Sequence, residues 1–570
     1  MAIQGSDTPI VDRDQRRSRA RRSRLVVALA VVVALTSPAL AQKRGGRKGT
    51  AVPEKTTASA IDSAASISTT EEPTDLAFRT LRGTSTSPAG RERSLSAPPH
   101  LSRQELGILD SRRRATEPLV PLRGYPTTER ASVPNRPGYA DASIGLYTTA
   151  RLAAGYSGTS WPFDYHGSLG FDMSSGYGRD NAHRALRANA GAGYIIDEGY
   201  GIFSGGHMGA EVKYEDASYH LFALPSSPER TTSNWSIGTN GANTWGGFTY
   251  DAAARYRSLG IDDSSASSRE TSLDGSLHLG TSWQGLAVGA QTDLRLTNLD
   301  GRSISYGRIE GFGSYSNRFL TARAGVQFSA GANSDGSTSG TIAPTGELRL
   351  FPLHGLTLIG SITGGLAPTS LAALSRINPY IALEPTIRQQ RENIGYQIHA
   401  RIEPSRAFAL RGTAARSHYN DYAYFDGLLD GRFAPQYGSA IVDRIIGDLT
   451  WRMDELNSVL ASAEFTEGRI DDRRPVPFTP KWIADLLYTR RFGTLPLAID
   501  AGARYIGTRP ASTGASLDQV VLLNLTGRYT VATRFDVILE LRNLLDQRYQ
   551  LWEGYEERGF FASVGASARF

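Results

Sequence analysis

The chain closes on Phe560-Phe561-Ala562-Ser563-Val564-Gly565-Ala566-Ser567-Ala568-Arg569-Phe570. Counted back in steps of two, one face is Phe570, Ala568, Ala566, Val564, Ala562 and Phe560. The other is Arg569, Ser567, Gly565, Ser563 and Phe561. This is a two-residue period over a full strand, apolar on one side, small or polar on the other, with an aromatic terminus. A transmembrane β-strand needs about 9–11 residues and shows this alternation. A soluble edge strand shares the pattern, so the rest of the chain must decide between them.

The amino-terminal stretch points to export. Seven arginines lie between Arg13 and Arg24, followed by an apolar run from Leu25 to Leu35 and then Ala39-Leu40-Ala41. A basic region, a short apolar core and an A-x-A site are the parts of a secretory signal, with cleavage expected near Ala41. Eleven apolar residues make about 16 Å of helix, roughly half a hydrocarbon core, which disfavours a spanning anchor. No later segment offers eighteen consecutive apolar residues, so no helical span is expected. That leaves a secreted or periplasmic protein or an outer-membrane β-barrel. The chain has no cysteine, hence no disulfide framework, thiolate metal site or thiol nucleophile.

Residues 42–137 are rich in Ser, Thr, Pro, Arg and Gly without apolar periodicity, and are expected to be largely disordered. One short helix near 103–114 is expected there, because Ser102-Arg103-Gln104-Glu105 has the form of a capping box. From about residue 140 the pattern becomes strand after strand. Leu286, Val288, Ala290, Thr292, Leu294 and Leu296 alternate with Gln291, Asp293 and Arg295. Leu320, Ala322, Ala324, Val326 and Phe328 alternate with Arg323 and Gln327. Phe535, Val537, Leu539 and Leu541 alternate with Asp536, Glu540 and Arg542. Charge stays on one face throughout. A lipid-facing Arg or Lys costs roughly 2–4 kcal/mol at the bilayer midplane, so a membrane barrel requires this segregation.

Connections alternate between short and long. Short turns fall at Trp283–Gly285, Ser316–Arg318, Pro352–Gly355, Glu403–Arg406, Asp454–Asn457, Gly493-Thr494 and Ala532–Arg534. Long loops are expected near 257–270, 330–341, 367–392, 419–440, 468–481, 507–519 and 546–559. Outer-membrane barrels have short periplasmic turns and long extracellular loops. The expected fold is an all-β transmembrane antiparallel barrel of about 22 strands, counted from near Ser143 to Phe570. The six strands before Trp245 carry the weakest pattern and leave 20 as the alternative count. The expected organisation is a signal peptide at 1–41, a low-complexity segment at 42–137 and the barrel at 138–570.

The closing segment Leu539-Glu-Leu-Arg-Asn-Leu-Leu-Asp-Gln-Arg-Tyr549, with the aromatic loop and Phe570 behind it, resembles the last two strands of TonB-dependent receptors. Gly360 to Glu392, with Ala367-Pro368, Asn378-Pro379-Tyr380 and Glu384-Pro385, resembles an extracellular loop of the same family. The resemblance covers roughly 140–570 and implies uptake of a solute across the outer membrane of a Gram-negative-type bacterium. It also implies outer-membrane lipid and lipopolysaccharide as surroundings, a TonB-type energiser or a plug-supplying chain as partner, and barrel assembly machinery engaging the strand that ends at Phe570. The family carries a globular N-terminal plug preceded by an energiser-contact box; 42–137 has neither pattern. A barrel of this size needs its lumen filled. Three ways are open: the 42–137 segment enters it, which is preferred here, a separate chain supplies a plug, or loops such as 419–440 fold inward.

Candidate ligand-binding residues are aromatic and sit in loops: His418, Tyr419, Tyr422 and Tyr424 in one, Trp552 and Tyr555 in another. Amphipathic rings there can stack on a sugar or a siderophore-like ligand. The competing reading is an interfacial girdle of Tyr and Phe. Asp471, Asp472, Arg473 and Arg474 form a charged loop, read as a solvated or lipopolysaccharide-facing surface. The nine histidines show no paired metal spacing, and Asp262-Asp263 lacks the rest of a calcium loop. No nucleophile elbow or phosphate-cradling loop is present, so neither enzyme activity nor a cofactor is expected. No basic helix supports nucleic-acid binding. The alternative function is a non-transporting surface-binding or assembly barrel, or a passive porin-like channel.

Overall fold

A computed structural model describes residues 138–570, apart from Arg179, Glu198, Ser265, Gln284, His354, Arg406, Leu429 and Asp472. The expected signal peptide, the 42–137 segment with its helix, and Asp472 of the charged loop lie outside the described residues. Twenty-two antiparallel strands follow one another around a ring, from Gly138–Gly145 to Phe561–Arg569. Each pairs with its neighbours in sequence, and the first also pairs with the last, Tyr139 opposite Arg569 and Gly145 opposite Ser563. Backbone hydrogen bonds of 2.9 and 3.0 Å between Gly138 and Phe570 complete the seam. Closure leaves no sheet edge, which is what lets β-structure cross a layer that offers no hydrogen bonds.

The two faces of the ring separate by chemistry. Val288, Leu294 and Leu296 project outward and are exposed, as are Val326, Phe328, Val537, Leu539 and Val564. Register carries this belt from strand to strand: Val564 sits between Ile144 and Leu539. An apolar band of this extent is satisfied only by lipid. At the turn end, exposed Trp161, Trp245, Trp283, Phe319, Trp451 and Phe535 form an aromatic girdle of the kind that marks a membrane interface.

Every short turn read from the sequence joins two ring strands at the same end. Trp283 ends a strand and Leu286 begins the next, and Ala532 and Phe535 are related in the same way. Three of the expected long loops are mostly strand. Phe248–Asp262 and Ser267–Trp283 run nearly to meet each other, as do Leu320–Ala332 and Thr338–Leu353. The 419–440 region is a tall hairpin, Phe408–Gly427 with Phe433–Arg452, each strand 20 residues long. Beyond the membrane both faces contact protein or water, so the apolar alternation fades while the ladder continues. The first strand likewise begins at Gly138 rather than near Ser143.

The segment after Leu539–Arg542 shows why its residues are Asn and Asp. Asn543 and Asp546 both have positive φ, 47° and 49°, a conformation that short polar side chains tolerate. Asn543 donates to the Gln547 carbonyl at 2.8 Å and accepts from the Gln547 N–H at 3.1 Å. Asp546 accepts from the Phe560 N–H at 2.7 Å. These bonds stop the strand and tie the start of the closing strand to it.

Candidate functional site

The inner face of the ring is lined with ion pairs. Arg295 and Asp274 face each other across two strands and pair at 2.5 Å. Arg308 donates to Asp293 at 2.7 Å, Arg323 to Glu310 at 2.8 Å, and Arg444 to Glu464 at 2.9 Å. The alternation that puts leucine in lipid puts these charges in the lumen.

At the loop end the wall is drawn together into a cap. Its main component is the 368–389 connection. Ser370 caps a helix, Leu371–Ile377 (α1), accepting the Ala373 N–H at 3.1 Å. Glu270 reaches from the strand Ser267–Trp283 to accept the Leu371 N–H and, at 3.3 Å, the Ala372 N–H. A carboxylate at a helix start satisfies donors that have no partner within the helix. Leu371, Leu374 and Ile377 are buried, so α1 shows its apolar side to the cap. The base of the connection is tied to the 333–337 turn, where Asn333 accepts the Gln389 N–H at 2.8 Å and Ser334 accepts the Ile387 N–H at 2.7 Å.

Past α1 the chain crosses the mouth. The Pro379 carbonyl accepts from the Tyr219 hydroxyl at 2.8 Å and from Arg230 at 3.0 Å; the Ile381 carbonyl accepts from Arg230 at 2.7 Å. On its other side, Tyr380 accepts the Phe433 N–H at 3.1 Å, and Phe433 accepts the Ala382 N–H at 2.8 Å. Tyr219 ends the fifth ring strand and Phe433 begins the sixteenth. Half of the ring separates them in either direction, and Tyr380 meets both. Its ring is edge-on to Tyr219 and stacked on Tyr555 at 3.4 Å. Phe433 packs against Phe478 at 5.2 Å and Trp552 at 5.1 Å. One apolar core therefore takes residues from both of the walls that Tyr380 meets, from Tyr219 round to Tyr555. Burial holds the Tyr380 and Tyr555 hydroxyls above the usual tyrosine range, so both stay neutral.

Inside this core lies a charge cluster. Arg230 and Asp263 are 0% exposed and pair at 3.0 Å; Arg432, from the tip of the tall hairpin, reaches the same Asp263 oxygen at 3.0 Å. The second Asp263 oxygen accepts the Ala266 N–H at 3.0 Å. Arg432 also pairs with the more exposed Asp430 at 3.1 Å. This pin joins three separate loops, and its partners were invisible in the sequence. Asp263 stood out there only as part of an incomplete calcium loop. Asn378-Pro379-Tyr380 was the one local signal: Asn378 accepts the Tyr380 N–H at 2.9 Å and holds the crossing turn.

The candidate aromatic residues fall into two groups. Trp552 and Tyr555 are buried in the cap core, Tyr555 donating to the Gly431 carbonyl at 3.1 Å. The Trp552 indole N–H is buried without a hydrogen-bond partner among the described residues. Tyr419, Tyr422 and Tyr424 pack instead with Ala440, Val442, Ile470 and Val476 in a smaller cluster. His418 is half-buried opposite Ile441, on the far side of the strand from Tyr419. The structure thus brings together Trp552 with Tyr555, and the three tyrosines with one another, and it leaves His418 apart. Among the described residues no group of three His, Asp or Glu side chains is placed to hold a metal.

No protein-family model matches the sequence, and no curated protein does. Solved structures do match the fold. The iron transporter FrpB from Neisseria meningitidis is 11% identical, with a TM-score of 0.61 over 76% of this chain and 81% of that one. The copper transporter OprC gives 11% identity and 0.60 over 76% and 80%. The ferric-catecholate import receptor Fiu from Escherichia coli K12 gives 11% identity and 0.57 over 76% and 81%. The barrel has the fold of outer-membrane TonB-dependent receptors.

Proposed function

We propose that this chain is an outer-membrane receptor that takes up a solute through its lumen, with the loop cap as the outer gate. The observation that carries this is Tyr380, held between opposite walls of a ring whose inner face is polar. A passive porin needs a standing opening at the loop end, and a shared apolar core there works against one. The short turns face the periplasm and the cap faces outside, as the loop lengths support.

The solute class suggested by the similar folds is a metal or its chelate, since those structures are an iron transporter, a copper transporter and a ferric-catecholate receptor. Trp552 and Tyr555 are the proposed ligand contacts once the cap opens, with Tyr419, Tyr422, Tyr424 and His418 on the adjacent hairpin. In the closed state these rings satisfy one another. A ligand with an apolar face and a hydrogen-bond acceptor replaces those contacts and gives the Trp552 N–H a partner. A TonB-type energiser or a plug-supplying chain is the proposed inner partner. Export by cleavage near Ala41 and barrel assembly through the strand ending at Phe570 complete the reading.

The test locks the gate. Ile381 and Phe433 are bridge partners, so Cα atoms there lie within disulfide reach, and the chain has no cysteine of its own. Cells carrying the Ile381→Cys, Phe433→Cys chain should lose uptake of the ferric or copper chelate when oxidised and regain it with reductant. Equal uptake in both states would show that the solute does not pass the cap.

A further inference from the structure

We propose a binding site for a small monovalent anion at Arg509, in the part of the cap where the 507–519 loop meets its neighbours. This loop carries a short hairpin of its own, with Arg509 opposite Leu517 and Pro510 opposite Ser516. It is tied to three other segments. The Pro510 carbonyl accepts the Phe478 N–H at 2.7 Å, and the Ser512 hydroxyl accepts the Gly427 N–H at 2.9 Å. The Thr513 hydroxyl donates to Glu553 at 3.0 Å. Arg509 therefore belongs to a junction of the 471–481 loop, the tip of the tall hairpin and the 546–559 loop.

Two arginines of the cap, Arg230 and Arg509, have no exposed surface. Arg230 has its counter-charge: it pairs with Asp263 at 3.0 Å and donates to two carbonyls. Arg509 does not. Its Nη2 donates to the Asp518 carbonyl at 2.9 Å. Its Nε and Nη1 are buried without a hydrogen-bond partner, and no carboxylate lies within ion-pair distance, among the described residues. A guanidinium taken out of water with neither a counter-charge nor acceptors for its remaining N–H groups is strongly disfavoured. Burial pushes its pKa down, to about 10, with Tyr549, Glu557 and Asp518 opposing from further off. The group is thus still a cation at neutral pH, and deprotonation does not relieve the cost.

The surroundings restrict what completes it. One buried positive charge is neutralised by one negative charge, whereas a sulfate or phosphate dianion leaves net charge in the core. No surface of Arg509 reaches solvent, so the ion must be small. The neighbouring core is close-packed aromatic, Phe478 lying 5.0 Å from Trp552, and does not admit an extended chelate. Chloride has the charge and the size, and it accepts several N–H donors at once. Bound there, it holds the junction together only while the loops are closed, and so favours the closed cap. The site is separate from the proposed solute contacts and does not depend on what the lumen carries.

Hydrogen exchange of the full mature chain, folded in detergent, is compared in potassium chloride and in potassium gluconate at equal ionic strength. Gluconate has the same charge and is too large for the site, so screening is held constant. At about ten times its dissociation constant, an ion that binds only the closed cap raises protection about tenfold. Amides at 509–518 and 549–557 should show that gain in chloride, and belt strands such as Leu320–Ala332 should not. Arg509→Met keeps the bulk and removes the charge. It should lose the chloride dependence and be at least as protected in gluconate as the parent, because the unpaired charge is gone. A second readout needs no variant: crystals grown in bromide should show anomalous scattering in contact with the Arg509 guanidinium. Equal protection of the parent in chloride and gluconate overturns the proposal and leaves water as the partner of the guanidinium. Chloride dependence that survives in Arg509→Met, or bromide in the cap away from this side chain, overturns the assignment to Arg509.

Discussion

Replacing Asp263 with Asn tests whether the cap is pinned by its buried charges. The substitution keeps the shape and one acceptor for the Ala266 N–H, which Asp263 now bonds at 3.0 Å. It removes the negative charge between Arg230 and Arg432, each 3.0 Å from the same oxygen. Arg230 has no exposed surface and keeps only the Pro379 and Ile381 carbonyls as named acceptors. Breaking a buried pair from one side costs about 3–5 kcal/mol, because the remaining charge stays desolvated. The side chain of Arg432 is 18% exposed and recovers some solvation, so the lower end, about 3 kcal/mol, is expected. That raises the open fraction of the cap on the order of a hundredfold. Hydrogen exchange of the detergent-folded chain is the assay. Amides at 371–382 and 430–433 should lose protection by about that factor, while the belt strands such as Leu320–Ala332 keep theirs. A further Arg230→Met change should restore part of the protection, since apolar replacement of a buried ion pair is often neutral or stabilising. Unchanged exchange at 371–382 in Asp263→Asn would refute the argument that this cluster holds the cap.

Three further outcomes follow from the same geometry. Glu270→Gln keeps one acceptor for the two α1 N–H groups but loses the charge at the helix start. It should cost about 1–2 kcal/mol of local stability, seen as faster exchange confined to 371–377. Val326, exposed on the outer face, should cost roughly 2–4 kcal/mol in lipid-refolding titrations when replaced by Arg, whereas Ser276→Arg on the inner face should stay within about 0.5 kcal/mol. Trp552→Phe removes a buried N–H that lacks a partner among the described residues and should leave the cap as stable or gain up to about 1 kcal/mol. Loss of more than that would mean that the indole volume, not the N–H, dominates there.

Much of the barrel could be read from the chain because lipid imposes its rule locally. Each strand must separate charge from hydrocarbon within its own few residues. Val326 and Phe328 against Arg323 and Gln327, or Val564 against Ser563 and Ser567, therefore declare their faces without reference to the rest. Tight turns such as Ala532–Arg534 set the alternation of ends, and Asn543 and Asp546 mark where a strand stops. Where the lipid rule lapses, the reading lapsed with it: the loops expected near 257–270, 330–341 and 419–440 are largely strand.

The cap was decided only by tertiary structure. Its core joins Tyr219, Leu299, Tyr380, Phe433 and Tyr555, positions hundreds of residues apart that share no period and no motif. In the sequence, Arg230, Asp263 and Arg432 resemble the other surface charges of a polar chain. Their burial follows from ring closure, which brings the loops of opposite walls within reach of one another. The 419–440 region, expected as a loop, stands as a tall hairpin, and its Phe433 meets the 368–389 connection that crosses to it. The sequence thus determined the wall, since the solvent of each residue could be read from its immediate neighbours. The gate depends on which distant loops meet, and that is a property of the closed ring.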